Sequence, residues 1–130
     1  MSRRKACCDF LKNLSINFEE TVVPFFLDLI NQNMGQYNNQ GGNNWKDCET
    51  AITIMIAISA RNVTRKHGAS SCPRFVVIEN IFDTIFTNFV QNHKTTNKFV
   101  VAACLKFVCT FRSMVIFPYF NFFHLLCLQW

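Results

Sequence analysis

The side chains best suited to covalent chemistry are His67 and Cys72, which lie close together in the sequence. A cysteine beside a histidine could act as a nucleophile with its base. The segment from His67 to Pro73 has the composition of a surface turn, however, which favours an ordinary thiol. His93 and His124 are predicted at a helix end and in an apolar tail, and no GxSxG, HExxH or P-loop motif is present. We therefore predict a protein that is not an enzyme and that holds no cofactor.

The seven cysteines could bind a metal or form disulfides. Their number is odd, no signal peptide precedes them, and most lie in apolar stretches, as small buried residues do. We expect free thiols in a reducing intracellular compartment. No CxxC pair exists, and the spacing of Cys104 and Cys109 puts them on different faces of a helix. The cysteine pattern therefore predicts no metal site.

The charge distribution narrows the choice of partners. The chain carries 13 Lys and Arg against 8 Asp and Glu, a net charge of +5 that can suit nucleic acid or a membrane surface. The cations cluster only at residues 3–5 and 65–66, and neither cluster is interleaved with aromatic residues as a strand-binding groove would be. We therefore predict no nucleic acid partner.

The composition of the 130 residues is that of one domain with a large apolar content. Half of the residues are apolar, 15% are aromatic and 16% are charged, which excludes a disordered chain. This apolar surface must be buried in a core, a partner or a membrane. The segments that carry it have helical spacing, so the predicted fold class is all-α.

The first third of the chain is predicted to form two helices and a loop. Residues 1–14 place their apolar side chains on one helical face, and residues 25–30 have the spacing of an amphipathic helix. Pro24 should either kink this helix or begin it. Residues 31–44 are rich in amides and glycine, and we expect a mobile loop there.

The central segment, residues 51–60, is apolar on nearly every side, which predicts a helix surrounded by others. We expect this helix to span about residues 48–66 at the centre of a bundle, with Ile54, Ala57 and Ile58 nearly inaccessible. A buried strand is the alternative, because isoleucine recurs at alternate positions. No second strand signal exists to pair with it, and this favours the helix.

Two further helices are predicted after a turn that ends at Pro73. Gly68 suits the end of the central helix and Pro73 can open the next one. The apolar residues from 78 to 90 recur at spacings of three and four, the clearest helical period in the chain. One of Thr95, Thr96 and Asn97 is expected to cap a last helix over residues 99–111.

The end of the chain is apolar and carries no formal charge after Arg112. Residues 113–130 are long enough to reach across a bilayer core, although Pro118 and Asn121 suit a bilayer poorly. A membrane anchor and a packed helix both stay open. The predicted organisation is a helical domain over residues 1–112 followed by an apolar tail over residues 113–130.

Three stretches between residues 44 and 101 resemble the Bcl-2 family of apoptosis regulators. Asn44-Trp45 looks like the opening of the family's first homology motif, and residues 55–60 are similar to the corresponding helix of a poxvirus member. Residues 89–100 match the shape of the second homology motif without a gap. The order of the stretches resembles the divergent members carried by poxviruses and iridoviruses. It implies an all-α, Bcl-2-like bundle around a buried central helix, with a shortened N-terminal part.

The resemblance implies an inhibitor of apoptosis that sequesters the BH3 helix of host pro-apoptotic proteins in a hydrophobic groove. Asp47 stands where the family has the arginine that meets the ligand's carboxylate, so Lys46 is expected to take that role. Such a protein would act in the host cell cytoplasm or at the mitochondrial outer membrane. The residues expected to line the BH3 groove are Val22, Phe25, Phe26, Leu29, Trp45, Lys46, Glu49 and Ile54.

Two other functions stay open at this point. Some poxvirus members of the family have a closed groove and inhibit innate immune (NF-kappaB) signalling as homodimers or through other surfaces. The missing arginine favours this alternative. The other is a small membrane-active protein anchored by its apolar tail.

Overall fold

A computed structural model of the chain describes residues 1–41, 43–74, 76–85, 94 and 96–114. Within these residues five helices follow one another: α1 (Arg3–Asn17), α2 (Glu19–Asn39), α3 (Trp45–Ser59), α4 (Ile78–Ile85) and α5 (Lys98–Thr110). Extended pairing in this part of the chain is confined to two isolated bridges in the loop between α3 and α4. The all-α fold class is therefore confirmed.

Helix α3 lies at the centre of the described helices, because it packs against α1, α2 and α5. Ile58 is fully buried and Ala57 is nearly so, as predicted. Ile54 is only half-buried and packs against the edge of the core, which corrects its predicted burial. The alternative of a buried strand is wrong, since this segment forms a helix with neighbours on several sides.

Helix α1 is capped by Ser2, whose side chain accepts a hydrogen bond of 3.2 Å from the backbone N–H of Lys5. Within α1, the side chain of Ser15 is fully buried. The Ser15 hydroxyl donates to the Lys12 carbonyl at 2.9 Å and accepts from the Arg61 guanidinium at 3.1 Å. Both contacts satisfy the buried hydroxyl, and the second ties α1 to the loop after α3.

Helix α2 corrects two predictions. Pro24 lies inside the helix and does not begin it, and most of the predicted loop over residues 31–44 is helical. The missing N–H of Pro24 removes one hydrogen bond in the second turn, and the rest of the helix is held by packing. Ile30, Met34 and Tyr37 fall on one face and pack on the core. This apolar face outweighs the amide-rich composition of the segment.

The segment after α3 also differs from the prediction. Helix α3 ends at Ser59 instead of about residue 66, and Pro73 does not open α4. The backbone N–H of Arg61 donates instead to the carbonyl of Ser71 at 3.1 Å, so the chain turns back on itself. These partners lie on opposite sides of a loop, and the local helical pattern of the sequence does not reveal them.

Gly68 was predicted to end the central helix, and this prediction is wrong. The residue instead holds the loop after α3 against α5. Its φ of 73° lies in the left-handed region that favours glycine. Its N–H donates to the Thr64 carbonyl at 2.8 Å, and the N–H of Ala69 donates to the Thr110 carbonyl at 2.7 Å. A Cβ at Gly68 would collide with that same Thr110 carbonyl. The position therefore requires glycine for its φ and for its close contact.

Helix α5 agrees with the prediction. Asn97 caps it, since its side-chain oxygen accepts from the N–H of Phe99 at 2.9 Å. The predictions for residues 86–93 and for the tail over 115–130 lie outside the described residues, and the division between domain and tail stays a prediction. Of the helices that the structure describes, none is long and apolar enough to cross a membrane.

Candidate functional site

A cleft of about 590 Å³ lies between the first turn of α1 and the facing sides of α3 and α5. Its size is that of a pocket that holds a small molecule or a few side chains of a partner. Its wall combines aromatic, apolar, cationic and hydroxyl groups. The lining residues are Arg4, Trp45, Lys46, Glu49, Thr50, Thr53, Ile56, Phe99, Ala102, Ala103 and Lys106.

One end of the cleft is aromatic. The rings of Trp45 and Phe99 stack with centroids 4.7 Å apart and planes 23° apart. Trp45 is the first residue of α3 and Phe99 lies in the first turn of α5, so the two helices begin side by side. The Lys46 ammonium lies over the Trp45 ring, 5.8 Å from its centroid, and the Lys98 ammonium lies 5.4 Å from the Phe99 centroid. These distances are those of cation–π contacts.

The opposite wall is a polar network between α1 and α3. The Arg4 guanidinium forms an ion pair with the Glu49 carboxylate and donates to the Thr53 hydroxyl at 2.8 Å. That hydroxyl in turn donates to the Glu49 carbonyl at 2.9 Å. The Glu49 side chain is only 17% exposed, whereas Arg4 is 60% exposed. Arg4 therefore neutralises the one carboxylate of the cleft and fixes its position.

The cleft as a whole is cationic. Arg4, Lys46 and Lys106 face one carboxylate, Glu49, which gives a formal charge of 3 − 1 = +2. Among the residues that the structure describes, no carboxylate pairs with Lys46 or Lys106. Asp47 stands next to Lys46, but its carboxylate accepts from the Asn44 amide at 2.6 Å. The cleft can therefore accept an anionic group from a partner.

Of the eight predicted groove residues, three line the cleft and five lie outside it. Trp45, Lys46 and Glu49 line the cleft, whereas no residue of α2 does so in the described part of the chain. On α2, Phe26 packs on the core and Phe25 is 64% exposed, with the two rings in a T-shaped contact at 5.2 Å. The remaining three, Val22, Leu29 and Ile54, are half-buried.

Sequence reasoning missed eight of the eleven residues that line the cleft, among them Arg4, Thr53, Phe99 and Lys106. They lie on three helices that only the tertiary fold brings together. A signal was present for one of them, since Phe99 follows Asn97 by two residues and Trp45 directly follows Asn44. Two helices that each carry an aromatic residue in the first turn could have been paired on that basis.

The two buried cysteines, Cys48 and Cys104, are packing residues. Burial raises the pKa of the Cys48 thiol to about 12 and that of the Cys104 thiol to about 12. Burial also raises the pKa of Cys72, whose thiol lies 3.5 Å from the Val76 carbonyl. A nucleophilic thiol needs the opposite shift. The six described cysteines are free, and the described residues contain no group of His, Cys, Asp or Glu suited to a metal ion.

The described helices pack around α3, and the cleft between α1, α3 and α5 has an aromatic end and a net positive charge. The sequence model of the Cse1 family matches residues 1–121, so the chain belongs to the Cse1 family. It is similar to Exportin-2 of Pagrus major (29% identity over 116 residues) and of Drosophila melanogaster (30% over 115 residues). It is also similar to Exportin-2 of Homo sapiens (27% over 118 residues).

Each of these matches covers 88% of this chain and 12% of the relative, so the chain spans about an eighth of the length of the relatives. No solved structure gives a significant match. The relatives carry the name of transport proteins and not of enzymes.

The Bcl-2 resemblance is wrong, because the family match runs through all three of the stretches that suggested it. An apolar central helix and an amphipathic neighbour recur in any helical bundle, and they do not specify one family. The functions drawn from the resemblance are corrected with it. Inhibition of apoptosis, binding of BH3 helices, a viral origin, inhibition of immune signalling by a homodimer and a mitochondrial location all conflict with the Cse1 match.

Proposed function

We propose that this chain forms one helical segment of a nuclear transport receptor of the exportin type. The observation that carries the proposal is the Cse1 family match over residues 1–121. The Exportin-2 relatives are far longer than this chain, so transport belongs to a whole receptor and the chain contributes one part of its binding surface. On this proposal the chain works in the nucleus and the cytoplasm.

The chain acts by binding and not by catalysis. Its buried thiols have raised pKa values, so they are poor nucleophiles at neutral pH. Its cleft contains the aromatic rings of Trp45 and Phe99 together with Arg4, and aromatic residues and arginine are enriched where proteins bind proteins. A transport receptor needs such surfaces and no reactive centre.

Exposed phenylalanines on α1 and α2 support a role within a larger helical assembly. Phe10 is 65% exposed, Phe25 is 64% exposed, and Phe18 between the two helices is 61% exposed. Large exposed apolar side chains commonly mark contacts with other protein segments. In a receptor of the relatives' length, neighbouring helices would cover these side chains.

A chimeric receptor tests the proposal. The stretch of Drosophila melanogaster Exportin-2 that aligns with this chain is replaced by the chain, and the chimera is expressed in cells depleted of Exportin-2. The measurement is the nuclear-to-cytoplasmic ratio of a cargo that accumulates in the nucleus on depletion. We expect the chimera to lower this ratio toward that of untreated cells.

Two variants of the chimera control for folding. Ile58→Asp puts a charge into the fully buried centre of α3 and should abolish rescue. Ile16→Asp changes the same residue type at a position that is 50% exposed and should leave rescue intact. A folded, well-expressed chimera that leaves the cargo in the nucleus would refute the proposed function.

A further inference from the structure

We propose that the cleft between α1, α3 and α5 binds an acidic protein segment that carries an aromatic or branched apolar side chain. The proposal deepens the proposed function, because it gives the chemical class of partner that this part of a receptor would contact. It rests on that function only for its cellular setting. The binding itself is a property of the cleft and can be measured on the chain alone.

Charge is the first argument for an acidic partner. Glu49 is already paired with Arg4, so the cationic excess of the cleft resides on Lys46 and Lys106. Both lysines are exposed, and in the part of the chain that the structure describes neither has a carboxylate partner. A carboxylate that entered the cleft could accept charge-assisted hydrogen bonds from these ammonium groups. The site thus presents hydrogen-bond donors suited to an anion.

The apolar lining of the cleft is the second argument, and it supports the aromatic or branched apolar side chain of the proposed partner. Beside the Trp45–Phe99 stack, the wall contains Ile56, Ala102 and Ala103. Phe99 is 50% exposed in spite of its contact with Trp45. An aromatic or branched side chain of a partner would cover this surface and gain the burial energy that dominates protein interfaces.

The geometry favours a protein segment over a nucleic acid strand. Strand-binding sites offer free aromatic faces on which bases stack. Here the two rings stack on each other, and the Lys46 and Lys98 ammonium groups lie over the Trp45 and Phe99 rings. Because Arg4 is paired with Glu49, the cleft offers two cations that have no carboxylate partner among the described residues, Lys46 and Lys106, whereas a nucleic acid strand is held through many phosphate contacts.

Fluorescence anisotropy with the full chain tests the proposal. The probe is a labelled peptide in which one phenylalanine is flanked by glutamates. Matched probes replace every glutamate with glutamine, or the phenylalanine with alanine, and a labelled single-stranded oligonucleotide is the third control. We expect the acidic peptide to bind tightest, with an affinity that falls as salt is added because exposed charge pairs are screened.

Two variants report on the cleft. Lys46→Gln combined with Lys106→Gln should weaken binding of the acidic peptide by about threefold to tenfold, the scale of two exposed ion pairs. Lys66→Gln, a matched change at an exposed lysine outside the cleft, should leave the affinity unchanged. Both are exposed polar changes, so thermal unfolding should match that of the unchanged protein and shows that each variant is folded.

Three outcomes would overturn the proposal: no binding of the acidic peptide, equal binding of the glutamine peptide, or tighter binding of the oligonucleotide. An affinity that the double variant does not lower would overturn it as well. These outcomes are separable from failure of the proposed function. If the chain binds the acidic peptide but its chimera leaves the cargo in the nucleus, only the receptor role is refuted. If the chimera exports the cargo but the chain does not bind the acidic peptide, only the proposed binding in the cleft is refuted.

Discussion

The indole of Trp45 stacks on the ring of Phe99 at a centroid distance of 4.7 Å and joins the starts of two helices that are far apart in the sequence. Because each ring lies in the first turn of its helix, the stack sets the separation of α3 and α5 where the cleft opens. The cleft therefore depends on a tertiary contact and on no local motif.

Removal of the indole should destabilise the fold and loosen the cleft. Trp45 is half-buried, so we expect Trp45→Ala to lower the free energy of unfolding by about 1–3 kcal/mol, less than a fully buried aromatic residue would cost. Trp45→Phe keeps a stacking partner for Phe99 and should cost less than half as much. Urea unfolding followed by circular dichroism measures both. Equal losses for the two variants would mean that the stack contributes nothing.

The buried centre of α3 gives a second prediction. Ile58 is fully buried, so Ile58→Ala should lower the free energy of unfolding by about 2–5 kcal/mol through lost burial and a cavity. Ile16→Ala is the matched control at a position that is 50% exposed, and its effect should stay within about 1 kcal/mol. If chemical denaturation gave similar values for both variants, α3 would not be the central helix.

Replacement by alanine should change the stability in opposite directions at two glycines, Gly68 and Gly35. Gly68→Ala should destabilise the protein by about 1–3 kcal/mol or more, because the φ of 73° is unfavourable and the new Cβ meets the Thr110 carbonyl. Gly35→Ala lies within α2 with nothing near the new Cβ, and it should stabilise by about 0.5–1 kcal/mol. Thermal unfolding of both variants checks the pair. A tolerated Gly68→Ala would show that the loop is not held against α5.

Alkaline pH should destabilise the fold through two buried thiols. Burial raises the pKa of Cys48 and of Cys104 from 9.0 to about 12. Between these values the folded state holds protons that the unfolded state has released, so stability is complete below pH 9 and falls as pH rises toward 12. The slope should not exceed about 1.4 kcal/mol per pH unit for each thiol.

The control for this prediction is the double variant Cys48→Ala with Cys104→Ala, in which the thiol contribution is gone. Its free energy of unfolding will be lower at neutral pH, but its decline with pH should be shallower than that of the unchanged protein. Denaturant titrations across the alkaline range measure both slopes. Parallel slopes would mean that the two thiols do not titrate differently on unfolding.

Much of the fold is predictable from sequence where local patterns determine it. The spacing of apolar residues located α1, α3 and the helical residues 78–85 of α4, and one of Thr95, Thr96 and Asn97 was expected to cap α5, as Asn97 does. The amide-rich composition of residues 31–44 wrongly predicted a loop. Met34 and Tyr37 are few, but they give α2 enough apolar surface to pack on the core. The end of α3 was missed because its cause, the pairing of Arg61 with Ser71, depends on the tertiary fold.

The candidate site was less predictable than the fold. Trp45, Lys46 and Glu49 were selected for a reason that proved wrong, the Bcl-2 resemblance, and they nevertheless line the cleft. They line the cleft because they lie in the first two turns of the central helix, where it meets α1 and α5. Arg4 could not be selected, since nothing local connects α1 to that helix. Family identity needed comparison with other proteins, because many helical folds share such patterns.

The most direct test of the central claim, that this chain is a working segment of an exportin-type receptor, is the rate of nuclear export supported by the chimeric Exportin-2. Photobleaching of the cytoplasm in depleted cells, followed by recovery of the cargo signal there, gives this rate. We expect the chimera to approach the rate of the intact receptor and the Ile58→Asp chimera to fall to that of depleted cells. A folded chimera whose rate does not exceed that of depleted cells would contradict the claim.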